Sequence, residues 1–215
     1  ISLLLLVLVA YFFSQEILTF INKPINDLEN TGFRQIFSTL TGPFLIYISI
    51  SIFTGLFFSS PVIIYNILRF IYPSVKRKSL LILFSVLFFC VLLFLIGSYF
   101  AYSLLIPISL KFLISFNSNF NEIEQLISVN DYVSFVILIV FSTGILFQLP
   151  ILAFFLSKLK LISSNLLATK RRYAVLFSFV LAAFITPPDI ISQLILALPI
   201  ILLYEICIII TRFTR

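Results

Sequence analysis

Six runs of apolar residues, at about 1–21, 44–68, 80–106, 132–157, 173–186 and 191–211, are separated by short polar breaks. A helix crossing a hydrocarbon core of about 30 Å needs about 20 such residues. In hydrocarbon only helices and closed barrels satisfy their own backbone. Five of the runs are long enough to cross. The fifth has 14 residues, about 21 Å at 1.5 Å per residue. Thr186-Pro187-Pro188-Asp189 is therefore expected to turn the chain below the membrane surface, covered by protein or facing a wet cavity. Composition closes off the soluble alternative. The chain is 61% hydrophobic and 10% charged, against about 45–50% apolar and about 25% charged in soluble domains. The sequence reads as an all-α polytopic membrane protein with six transmembrane helices, forming one domain over 1–215.

Charge sets the orientation. The break at 69–79 carries Arg69, Lys76, Arg77 and Lys78, and that at 158–172 carries Lys158, Lys160, Lys170, Arg171 and Arg172. With Arg212 and Arg215, eleven of the fourteen basic residues lie on one side. Lys23, Arg34 and Lys111 fall on the other, with Asp27, Glu29, Glu122, Glu124, Asp131 and Asp189. The positive-inside rule puts both termini in the cytosol, stroma or matrix. A pI of 9.4 then needs no nucleic acid to explain it. The chain starts at Ile1 inside an apolar run and contains no methionine, so a cytosolic lead-in is expected before it. Abundant Phe and scarce Gly suit an AT-rich genome, such as an organelle's.

Several chemistries are excluded at once. The chain has no His, which removes His-ligated haem, histidine proton relays and Ser-His catalysis. Cys90 and Cys207 sit in separate apolar runs and read as small buried hydrophobes, not a metal site or a disulfide. No Gly-rich phosphate loop, GxSxG or paired acids on one face occur, so no enzyme and no cofactor are expected. Pro61 and Pro150 lie eight residues before Arg69 and Lys158. Together with Pro43 they are expected to kink their helices, since each removes a backbone donor.

Polar residues inside apolar runs are the candidate sites. Gln148 falls near mid-membrane and needs an interhelical partner. Glu205 falls about 10 Å inside the inner boundary; it is either functional, or it snorkels to the interface or pairs with Arg212. Asp189 either caps the sixth helix or acts in a site. Gln193, Ala197, Ile200 and Tyr204 share one helical face, a groove that would suit another helix.

The series Phe184-Ile185-Thr186-Pro187-Pro188-Asp189-Ile190-Ile191-Ser192-Gln193, Ala197-Leu198-Pro199 and Leu203-Tyr204-Glu205 resembles the TatC family of the twin-arginine translocase. Thr41-Gly42-Pro43-Phe44, Ser60-Pro61-Val62-Ile63-Ile64-Tyr65, Phe70-Ile71-Tyr72-Pro73, Phe147-Gln148-Leu149-Pro150 and Lys170-Arg171-Arg172-Tyr173 match it too. The resemblance implies a non-enzymatic receptor for signal peptides carrying paired arginines. It also implies single-span TatA/TatB-like partner subunits, assembly of several copies in lipid, and export of folded cargo by the proton-motive force. It points to Phe70, Pro73, Arg77 and Ser79 as signal-reading surface, and to Gln148 and Glu205 as an intramembrane polar site. Thr186, Asp189 and Gln193 would then dock partner helices.

One departure matters. The family usually carries a Glu shortly after the F-I-x-P motif, whereas Pro73 to Ser79 contains none. The intact TPPD turn and the AT-rich composition favour the mitochondrial inner membrane over the plastid thylakoid membrane, with the bacterial plasma membrane as the open alternative. The rival readings are a secondary transporter or channel, which would show repeat-related broken spans, and a structural subunit of a respiratory complex.

Overall fold

The computed structural model describes residues 2–26, 34–37, 39–71, 80–117, 126–187 and 189–214. The first apolar run forms α1 (Ser2–Phe12) and α2 (Ser14–Asn26), bent by 75° at Phe13. One straight span to residue 21 is therefore not what forms. Ser14 Oγ donates to the Tyr11 carbonyl at 2.7 Å, a local bond that competes with the helical ladder and bends it.

The second run forms α3 (Gly42–Ile71), which continues through Pro61; the Pro61 side chain lies outside the described residues. Pro43 stands in the first turn of α3, where an N–H has no partner to lose. It starts that helix and does not kink it. The third run extends beyond residue 106: α4 (Leu80–Phe100), a π-helical turn (Ala101–Leu105) and α5 (Ile106–Asn117) follow without a break. Ile106 N–H bonds five residues back to Ala101, just before Pro107, which has no N–H to give.

The fourth run is α6 (Val129–Leu146) and α7 (Leu149–Lys158), which together make one 30-residue candidate span. Pro150 lies in the first turn of α7, so the ladder is interrupted at Phe147–Gln148. After α8 (Ser164–Thr169) comes α9 (Arg171–Ile185), only 15 residues long, and then α10 (Ile190–Phe213). Four described helices or helix pairs have the length and apolarity of a span, and the bent α1–α2 pair makes a fifth.

The chain is not purely helical. β1 (Arg34–Ile36) pairs in parallel with β2 (Leu126–Ser128), in register Arg34↔Leu126. This joins the breaks after the first and third runs.

The centre of the bundle is Ile50, Leu105, Ile106, Ile139 and Leu196, all nearly inaccessible. The outside is also apolar: Leu8, Phe88, Phe184, Leu202 and Phe213 are exposed. A surface of that kind suits hydrocarbon as its solvent. Close approach is set by small residues. A Cβ on Gly55 would lie 2.4 Å from Val7 Cγ2 and 3.0 Å from its Cα, so glycine lets α1 lie against α3.

Pro24, inside α2, has a consequence that run lengths do not reveal. It has no N–H for the carbonyl of Phe20, four residues back. Tyr102 Oη donates to that oxygen at 2.7 Å, and Tyr132 Oη donates to the next one, Ile21 O, at 2.6 Å. Two tyrosines thereby hold α2 across the end of the bundle.

Candidate functional site

The α9–α10 turn gathers three of the expected site residues. Thr186 ends α9 in an extended conformation, as a residue before proline must. Its hydroxyl donates to Ala182 O at 2.9 Å. Asp189 is the N-cap of α10, and its Oδ2 accepts the Ser192 N–H at 2.6 Å. The capping alternative is thus what Asp189 does, although its Oδ1 is buried without a hydrogen-bond partner among the described residues. Ser192 extends the network, its hydroxyl lying 2.7 Å from that of Ser109 on α5. That buried pair was not singled out from sequence, because one Ser among apolar residues carries no directional signal.

Gln193, one turn into α10, donates through Nε2 to Phe179 O on α9 at 3.0 Å. It also lines a hollow of about 250 Å³ walled by Phe179, Val180, Ala183 and Phe184. The rest of its helical face does not form the expected groove. Ala197 and Ile200 are 0% and 3% exposed within the core, and Tyr204 Oη donates to Leu167 O on α8 at 2.8 Å. The bundle's own helices fill that face.

Gln148 has the interhelical partner expected of it. Its Nε2 donates to Cys90 O on α4 at 2.8 Å. The two amides therefore do the same job, each holding a neighbouring helix by a backbone carbonyl. They are not brought into one site with Glu205. That carboxylate pairs with Arg171 at the start of α9, Nη2 to Oε2 2.9 Å, and not with Arg212. Two helical turns separate positions 205 and 212, whereas α9 brings Arg171 alongside.

Around that ion pair the α9 terminus is cationic and aromatic. Lys170 Nζ lies 5.2 Å and the Arg172 guanidinium 4.9 Å from the centre of the Tyr173 ring. Of the expected signal-reading residues, Pro73, Arg77 and Ser79 lie outside the described residues. Phe70 is near the end of α3, with its side chain also outside them.

A bundle of apolar helices joined by buried amides, caps and hydroxyls, with one basic end, is a polytopic integral membrane protein. The family it belongs to follows from its relatives. The profile of the family described as "Sec-independent protein translocase protein (TatC)" matches residues 1–199. The chain is similar to the Sec-independent protein translocase protein TatC of Rickettsia prowazekii, 36% identical over 208 residues, covering 95% of this chain and 83% of the relative. The corresponding protein of Listeria innocua is 34% identical over 217 residues, covering 98% and 87%. A crystal structure described as "Twin Arginine Translocase Receptor- TatC" superposes with a TM-score of 0.84 at 32% identity, covering 99% of this chain and 92% of that one. The chain belongs to the TatC family and is a component of a Sec-independent protein translocase.

Proposed function

We propose that this chain is the signal-peptide receptor of that translocase, spanning the membrane six times with both termini in the cytosol or matrix. The observation that carries the reading is its likeness over 99% of its length to a solved twin-arginine translocase receptor. Two contacts support the orientation. The β1–β2 ladder joins segments assigned to one side, and the Arg171–Glu205 pair joins groups assigned near the other. In this reading α9, about 22 Å long by its rise, is the fifth crossing, and the capped turn at Thr186–Asp189 closes it inside the membrane.

The receptor is non-enzymatic: it reads paired arginines, recruits single-span TatA/TatB-like subunits and assembles in several copies. The proton-motive force then drives folded cargo across. Phe70, Pro73, Arg77 and Ser79 form the reading surface. The shallow hollow at Gln193, flanked by exposed Phe184 and Ile190, suits a partner helix. The membrane is the mitochondrial inner membrane on the composition argument, with the bacterial plasma membrane as the alternative that the bacterial relatives favour. Purification from native membranes tests the reading. Co-isolation of single-span amphipathic subunits is expected; respiratory-complex subunits in their place would overturn it.

A further inference from the structure

A cavity of about 600 Å³ lies beneath α2, between α3, α4 and α6. Phe53, Phe57 and Val140 contribute to its walls, and Ile17 and Phe20 roof it. Of the hydroxyls that line it, those of Ser98 and Tyr102 are donated to the carbonyls of Val140 and Phe20, which leaves Thr54 as the polar group on the α3 wall. Buried water needs two to four polar partners, which such a wall offers poorly. The mouth opens to the outside of the bundle at Phe58 and Tyr99, 64% and 72% exposed. One carboxylate stands there: Glu16, in the first turn of α2, which has no ion-pair partner among the described residues.

We propose that this cavity holds an acyl chain of a membrane phospholipid whose headgroup is a primary ammonium, with the ammonium resting on Glu16. The size of the space favours a flexible chain over a helix. A helix about 10–12 Å across would fill about 600 Å³ within about one to one and a half turns. The charge at the mouth selects the headgroup. A primary ammonium donates charge-assisted hydrogen bonds to a carboxylate. A quaternary choline has no N–H to donate, and a glycerol headgroup leaves the phosphate charge facing Glu16 uncompensated. The site is separate from the α9–α10 turn and does not depend on the receptor reading.

The test uses the full chain in vesicles of equal phosphatidylethanolamine and phosphatidylglycerol, doped with photoactivatable acyl-chain lipids bearing ethanolamine, choline or glycerol headgroups. Crosslinks are mapped by mass spectrometry. The ethanolamine lipid is expected to label the segments around Phe53–Phe57 and Val140 about two- to fivefold more than the others, the range of one exposed ion pair. Glu16→Gln should level the three headgroups while the walls stay labelled. Val140→Trp should abolish wall labelling while the exposed face of α10 labels as before. Unchanged α10 labelling and an unchanged thermal midpoint show that each variant is folded. If Val140→Trp fails that control, Phe57→Trp, which fills the space from α3, replaces it. Wall labelling no higher than on α10, or indifferent to a filling variant, would overturn the cavity assignment. Labelling by a photoactivatable apolar peptide but by no lipid would assign the space to a protein segment instead. Equal labelling by all three headgroups in the unmodified chain would overturn the role of Glu16.

Discussion

Arg171 Nη2 and Glu205 Oε2 lie 2.9 Å apart, joining the first turn of α9 to the C-terminal half of α10. The pair uses the carboxylate that could otherwise meet an incoming guanidinium at the basic end of the bundle. Both side chains are about half exposed, so solvent screens the pair and its stabilisation stays within about 1 kcal/mol. Its consequence is electrostatic: the basic face has no described carboxylate left unpaired.

Signal-peptide affinity follows from that balance. The 215-residue chain is expected to bind a labelled twin-arginine peptide weakly, because Pro73 to Ser79 offers Lys76, Arg77 and Lys78 and no acid. Ser79→Glu should strengthen binding about two- to fivefold at low salt, as one exposed ion pair would. Glu205→Gln should leave affinity unchanged. Strong arginine-dependent binding by the unmodified chain, read by fluorescence titration, would sink this account of the loop.

The tyrosine contacts to α2 predict a stability change. Tyr132 is 4% exposed and donates to Ile21 O. Tyr132→Phe removes that buried hydrogen bond and should cost about 0.5–1.5 kcal/mol, measured by denaturation in detergent. At Phe20 the deficit comes from Pro24, so Pro24→Ala should reduce the cost of Tyr102→Phe. A double-mutant cycle showing additive effects would refute that coupling.

Packing of α1 on α3 predicts a second one. Gly55→Ala puts a methyl 2.4 Å from Val7 Cγ2 and 3.0 Å from Val7 backbone. Overpacking of this kind costs about 1–3 kcal/mol. Val7→Ala in the same chain should recover only part, since the backbone approach remains. Full recovery would mean that the side chain alone sets the spacing.

At the proposed docking face, Gln193→Leu removes the bond to Phe179 O. Interhelical hydrogen bonds in membranes average about 0.6 kcal/mol and reach about 2, so the bundle should still fold. Crosslinking from position 193 to a single-span partner should fall. Unchanged crosslinking would assign Gln193 to holding α9 and α10 together and nothing more.

Topology is checked with two reporters. One fused after Arg215 and one inserted at Asn119 should report opposite sides, the first on the cytosol or matrix side. Both on one side would refute six crossings.

The apolar runs were readable because bilayer thickness sets their length, a property of consecutive residues that needs no partner. They place α3, α6–α7 and α10 to within a few residues, and the shortness of the fifth run anticipates α9. The proximity of Thr186, Asp189 and Gln193 was legible as well, because they lie within eight residues across one turn. What consecutive residues could not decide is whom each polar group meets. Glu205 chose Arg171 over Arg212, Gln148 chose the carbonyl of Cys90, and Tyr132 chose that of Ile21. The bend at Phe13 and the π turn before Pro107 are local events that run length does not register. The pairing of Arg34 with Leu126 escaped for the same reason as those three contacts. Each is settled by packing and backbone hydrogen bonding across elements far apart in the chain, where many partners share the same local pattern and only the assembled bundle leaves one within reach.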